Sequence, residues 1–216
     1  MHPRAMLFFV FGSLGSGKST LLRRLRGDMP DMALVDADVP RAAVSKVERQ
    51  RQLQERLEAI SRGPQADVLY AGQSPLGELL ACPVATEFAG IAPCLLDCGD
   101  TIRIQRVRSR GWRNDTSELD LLRWAAWMRL HAANPQHDQS VLIEGGAPEL
   151  RWERWNRWRR GDARWQVTVF DNSYDDEAET IRRFLTWIES RRRLLADGRL
   201  PLVAGWDRGP GPAAHS

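Results

Sequence analysis

The chain has 216 residues, 43% of them hydrophobic and 27% charged, with a formal net charge of +3 and a pI near 9.0. That size and balance fit one globular domain with room for an inserted helical segment, and three cysteines are too few for a disulfide framework. No apolar run approaches the roughly 20 residues that span a bilayer, and Met1-His2-Pro3-Arg4 lacks the apolar stretch of a signal peptide, so a cytoplasmic protein with no membrane partner is expected.

Leu7 to Phe11 reads as a buried strand. It runs into Gly12-Ser13-Leu14-Gly15-Ser16-Gly17-Lys18-Ser19-Thr20, which matches G-x-x-x-x-G-K-[ST] at every fixed position. A helix is predicted over about 18 to 26. Glycines at these positions let successive N–H groups turn inward, and the helix N-terminus adds partial positive charge, which makes an anion cradle. Gly12, Ser13, Gly15, Ser16, Gly17, Lys18, Ser19 and Thr20 are therefore the candidate nucleotide-binding set. Lys18 would reach the β- and γ-phosphates and Ser19 would ligate Mg2+. The lysine is telling, because Lys18 and Lys46 are the only lysines among 31 basic residues.

Met32 to Val35 is a second apolar run and ends at Asp36-Ala37-Asp38, with Arg41 just beyond. Strand then helix then strand is the pattern of an α/β fold with a parallel sheet, whose ligands gather at the C-terminal strand ends. Ala42 to Ser61 reads as a polar helix with an interrupted apolar stripe. A third strand over Asp67 to Ala71 leads into the turn-forming Gly72-Gln73-Ser74-Pro75, which places Gln73 at the ligand edge. Ala92 to Cys98 is a fourth strand; Cys82, Cys94 and Cys98 read as buried thiols. In the helix that follows, Arg103, Arg106 and Arg110 share one face, where a phosphate-facing role competes with ordinary surface arginines.

Ser117 with Asp120 resembles a capping box for a helix ending near Ala133. Ser140 to Glu144 is predicted as a further short strand, with Glu144 a candidate magnesium-side acid. Trp152, Trp155 and Trp158 alternate with arginines between Arg151 and Arg160. Such a segment either stacks bases or presents an amphipathic packing face, and packing is favoured. A last strand over Trp165 to Phe170 and a helix over about Asp175 to Leu195 complete a domain spanning 1–203, with a helical tryptophan-rich insertion at about 111–164. Residues 204–216 are expected to be a disordered tail.

Phosphoryl transfer needs a held donor, neutralised charge and an acceptor oxygen placed in line. Asp38, or Asp36, is placed in sequence to orient or deprotonate the acceptor hydroxyl while the other holds a magnesium-bound water; either acid alternatively caps the helix after it. The phosphate loop after strand one, the acidic end of strand two, the glycine turn after strand three and the arginine-bearing helix after strand four resemble the P-loop kinases of small molecules and nucleotides. The resemblance implies a three-layer α/β/α fold with a parallel five-stranded sheet in the order 2-3-1-4-5, ATP as donor and Mg2+. It also implies lid-type arginines, matched here by Arg106 and Arg110, beside catalytic Lys18 and Asp38. Asp36-Ala37-Asp38 is similar to the acid pair of shikimate-kinase-like members. Asp38-Val39-Pro40-Arg41 is similar to the D-x-x-R of polynucleotide 5′-hydroxyl kinases, in which the arginine grips a substrate phosphate. No acid ends strand three, and the insertion is long, both departures from the pattern. The expected activity is ATP-dependent phosphorylation of a small molecule, nucleoside or nucleotide bound near Asp36, Arg41 and Gln73. The alternatives are a nucleic-acid substrate or partner and a non-catalytic nucleotide switch. ATP is favoured over GTP because no N-K-x-D motif occurs.

Overall fold

The computed structural model describes residues 5–38, 44–63, 66–111 and 117–208. Strands β1 (Met6–Phe11), β2 (Ala33–Asp36), β3 (Val68–Gly72), β4 (Gly90–Asp97) and β5 (Thr168–Asp171) form one parallel sheet in the order β2-β3-β1-β4-β5. The helices are α1 (Lys18–Asp28), α2 (Lys46–Arg62), α3 (Leu76–Ala81), α4 (Asp100–Ser109), α5 (Glu118–Ala133), α6 (Ser140–Ile143) and α7 (Glu177–Ala196).

All of β1 is buried because helices cover both faces of the sheet, as in parallel sheets generally. Strand alternation then splits its side chains between two cores. Met6, Phe8 and Val10 pack with Leu21, Leu22 and Leu25 of α1 and Phe184, Trp187 and Ile188 of α7. Leu7, Phe9 and Phe11 pack on the other side with Leu53 and Leu57 of α2, with α3, and with Trp127 and Met128 of α5. The result is the three-layer α/β/α arrangement. Its C-terminal edge is set by register: Asp36 pairs with Ala71, Phe11 with Gly72 and with Leu95, and Asp97 with Asp171. The phosphate loop leaves β1 at this edge.

Several elements depart from expectation. Ser140–Ile143 is a single helical turn rather than a strand. Its Val-Leu-Ile run has strand-like composition, but only Leu142 is buried, and the turn closes through Ile143 and Glu144 N–H groups on Gln139 and Ser140 carbonyls. Glu144 is therefore exposed at a helix end, where its carbonyl accepts from Lys46, and ends no strand. The tryptophan segment is a short 3-10 turn over Trp152–Arg154 and irregular backbone after it, not a helix; Trp155 and Trp158 are nonetheless buried, so packing is their role. Helix α3 carries no amphipathic signal because all six of its residues are buried.

Residues 204–208, expected to belong to a disordered tail, are packed against the body. Val203 bridges Gly90, Ala204 N–H donates to Ala89, and Trp206 is buried with its ring edge-on to Trp158 at 5.5 Å. Asp207 also pairs with Arg154 at 3.0 Å, so residues 204–208 belong to the packed body. Cys82, Cys94 and Cys98 are buried free thiols, as expected. Among the described residues no helix is long and apolar enough to cross a membrane.

Candidate active site

Two glycines shape the phosphate loop. A Cβ on Gly12 would collide with the Leu96 carbonyl oxygen, and Gly17 sits at φ 99°, a left-handed conformation that side chains resist. Gly17 is the N-cap of α1, so the loop delivers the first N–H groups of that helix, which have no carbonyl within the helix to pair with, directly at its open face. This is a cradle that fits phosphate oxygens. Ser13, Ser16 and Lys18 are buried within it, Thr20 borders its open side, and Ser19 is exposed on the first turn of α1.

The Lys18 ammonium donates to the Gly12 carbonyl at 2.9 Å and the Ser13 carbonyl at 3.2 Å, and lies 3.3 Å from the Asp38 carboxylate. Asp38 is thus brought from just beyond the end of β2 to the lysine of the phosphate loop. Burial lowers the Lys18 pKa against the raising effect of Asp38, and burial raises the Asp38 pKa against the lowering effect of Lys18. Asp38 Oδ2 faces the lysine, while Oδ1 is buried and makes no hydrogen bond of ordinary geometry among the described residues; the Gln73 side chain lies close enough to lower the Asp38 pKa. Asp36 is exposed at the end of β2 and its Oδ1 accepts the Asp38 N–H at 3.3 Å, which fixes the turn between the two acids. Gln73 lies at the end of β3 beside Asp38. Arg41 lies outside the described residues.

The arginine face of α4 divides three ways. Arg103 is fully buried: it donates to the Leu14 carbonyl of the phosphate loop at 2.8 Å and to Cys98 at 3.1 Å, and pairs with Asp97. The phosphate-facing role expected for it is therefore replaced by bracing of the loop, because Asp97 and two backbone carbonyls meet its guanidinium inside. Arg129 of α5 reaches the same Asp97 at 2.6 Å and Asp100 at 2.5 Å. Arg106 donates to Asn172 Oδ1 at 2.8 Å and to the Asn172 carbonyl at 3.1 Å, and Asn172 in turn donates to the Ser16 carbonyl at 2.9 Å. Arg110 is exposed. Arg106 and Arg110 line, with Gly17, Thr20, Asn172 and Asp175, a cavity of about 300 Å3 beside the phosphate loop. Its size suits a nucleoside next to bound phosphates.

Asp97, Arg129 and Asn172 went unread in the sequence. Asn172 had a usable signal, since it follows the last strand at the sheet's ligand edge; the Arg129 link to Asp97 spans 32 positions and had none.

No protein-family model matches the chain, and no curated protein matches it. Among solved structures it is similar to a gluconokinase from Sinorhizobium meliloti 1021, with a TM-score of 0.53 and 16% identity over 91% of this chain and 99% of that one. It is also similar to an uncharacterized protein from Eubacterium ventriosum ATCC 27560, with a TM-score of 0.50 and 10% identity over 86% and 99%. A sugar kinase from Janibacter sp. HTCC2649 matches at a TM-score of 0.49 and 15% identity over 86% and 95%. With sheet order β2-β3-β1-β4-β5, a phosphate loop leaving the central strand and an arginine-bearing helix after β4, the chain has the P-loop kinase fold.

Proposed function

We propose that the protein is an ATP-dependent kinase that transfers the γ-phosphoryl group to the hydroxyl of a small molecule. The observation that carries this reading is Asp38: a carboxylate at the phosphate-loop lysine whose second oxygen is buried and lacks a hydrogen bond of ordinary geometry among the described residues. An unpaired buried acceptor is costly, and an acceptor hydroxyl that donates to it satisfies it. In this reading the loop N–H groups and Lys18 hold the donor phosphates, and Arg106 and Arg110 close on them from α4. Ser19 would ligate Mg2+, with Asp36 holding one of its waters; the ion supplies charge neutralisation between phosphate oxygens. Such an ion would rest largely on phosphates, since no group of three or more carboxylate, histidine or cysteine ligands occurs among the described residues. Asp38 takes the proton of the acceptor hydroxyl, the acceptor O–P bond forms, and the bond from the γ-phosphorus to the leaving ADP oxygen breaks. A raised Asp38 pKa makes it a stronger base than an ordinary carboxylate.

The nucleic-acid alternative loses one of its motives, because the rings of Trp155 and Trp158 are committed to the core. A test is ATP consumption against sugars, cyclitols, hydroxy acids, nucleosides and nucleotides. Asp38→Asn should lower kcat by about 10²-fold or more with ATP affinity nearly unchanged. The wild-type rate should drop as pH falls, through a midpoint above the ordinary aspartate value, since protonated Asp38 accepts no proton. Full turnover by Asp38→Asn would overturn the reading, and tight ATP binding with no transfer to any acceptor would favour a nucleotide switch.

A further inference from the structure

The basic charge of the chain is concentrated in one surface segment. Between Arg151 and Arg164 there are six arginines and two acids, a net charge of +4, whereas the whole chain carries +3, so the remainder is slightly acidic. Three of the six arginines have carboxylate partners: Arg151 has Glu153 at 3.7 Å, Arg154 has Asp207 at 3.0 Å and Arg164 has Asp162 at 2.8 Å. Arg157, Arg159 and Arg160 are exposed and form no ion pair among the described residues. Two tight turns hold them. The first closes with the Trp158 N–H on the Trp155 carbonyl at 2.8 Å and puts Arg157 at a corner. The second closes with the Asp162 N–H on the Arg159 carbonyl at 3.0 Å and puts Arg160 at a corner, followed by Gly161 at φ 87°. Buried Trp155, Trp158 and Trp165 anchor both turns, and the Arg164 guanidinium lies 4.0 Å over the Trp158 ring. The backbone that carries the three guanidiniums is therefore fixed before any partner arrives, which lowers the entropic cost of binding.

The segment lies at the N-terminal edge of the sheet, away from the phosphate loop at the C-terminal edge. Arg154 donates to the Cys82 carbonyl just after α3, Trp158 packs edge-on against Trp206, and Trp165 stands just before the start of β5. No large apolar side chain is exposed between Arg151 and Gln166. Protein interfaces and membrane-adhering surfaces are built around such side chains. A phosphodiester backbone asks only for cations, and the planar fork of a guanidinium matches its oxygens. We propose that this face binds nucleic acid through its backbone, without reading sequence, as a surface partner and not as the phosphoryl acceptor. The buried rings of Trp155 and Trp158 supply no stacking platform, so the affinity rests on charge.

The test uses the full chain and a fluorescein-labelled oligothymidylate of about 20 nucleotides, titrated by anisotropy between about 50 and 200 mM salt. Neutralising three phosphates predicts a slope of log affinity against log salt of about −2 for this single strand. Arg157→Gln combined with Arg160→Gln leaves Arg159 alone, so the slope should shrink to about −0.7 and affinity at the lowest salt should fall about tenfold or more. Arg23→Gln combined with Arg26→Gln removes the same charge from the exposed side of α1 and should leave binding nearly unchanged. Saturating Mg2+ and a non-hydrolysable ATP analogue should not displace the strand, because the phosphate loop lies at the other edge. Unchanged affinity for that analogue shows that each variant is folded. No binding at the lowest salt, an unchanged slope in the Arg157 and Arg160 variant, an equal loss in the α1 variant, or displacement by the analogue would each overturn the proposal. Vesicles rich in phosphatidylserine form the last arm: binding that depends on Arg157 and Arg160 and is tighter than to the oligonucleotide would assign the face to a membrane and overturn it as well.

Discussion

His131 is enclosed by rings: it stacks on Trp127 with centroids 4.6 Å apart and meets Trp165 and Trp155 edge-on at 5.0 and 5.5 Å. Neither ring nitrogen makes a hydrogen bond of ordinary geometry among the described residues, and burial pushes its pKa down to about 3 against the raising effect of the nearby His137 backbone. A folded pKa below the unfolded one means that the histidine's contribution to stability is present above the unfolded value and is lost as pH falls toward 3. With an unfolded pKa of about 6.5, the loss between pH 7 and pH 5 should be roughly 2 kcal/mol. Urea denaturation across that range should show this slope in the wild type, and His131→Gln should flatten it by that amount. The same scale explains why Arg103, Arg106 and Arg110 part company. Helical spacing places the three on one face, but it carries no information on whether Asp97, Asn172 or solvent meets each guanidinium.

At the scale of elements, the insertion between α4 and β5 acts as a lid on the sheet rather than as a separate module. Helix α5 begins at a side-chain cap, with Ser117 Oγ accepting the Asp120 N–H at 3.1 Å, and its Arg129 ties it to Asp97 at the end of β4. The irregular stretch after it inserts Trp155, fully buried, against α3, where a Cβ on Gly77 would stand 2.5 Å from its ring. Trp155→Ala should therefore cost about 3 to 5 kcal/mol, read as a lowered urea midpoint at unchanged slope. A loss under about 1 kcal/mol would mean that the ring is not a core group. The capping box was legible because its signal is local, two residue types three positions apart. The backbone form of the tryptophan segment was not, since rings every third residue satisfy a helix and a chain of turns equally well, and contact with α3 and α5 decides between them.

For the whole molecule, the C-terminal residues close the core that α2, α3 and α5 build against the sheet. Trp206 is edge-on to Trp158, and the Arg154–Asp207 pair lies in a largely shielded position. Removing residues 204–216 should cost about 3 kcal/mol or more, the scale of losing a buried tryptophan, whereas a dispensable tail would leave the melting temperature unchanged. The sequence by itself determined the phosphate loop, the alternating strands and helices, the sheet order through the resemblance they support, and the acids at the end of strand two. These follow from short-range pattern: fixed glycine and lysine positions, apolar periods and turn residues. Only the tertiary structure decided that Asp38 meets Lys18, that Asp97 and Arg103 brace the loop, that Arg49 pairs with Glu78, and that Trp206 is part of the core. Each of these joins residues far apart in the chain, and charge pairing and burial depend on which side chain arrives at a given place, something no local spacing encodes.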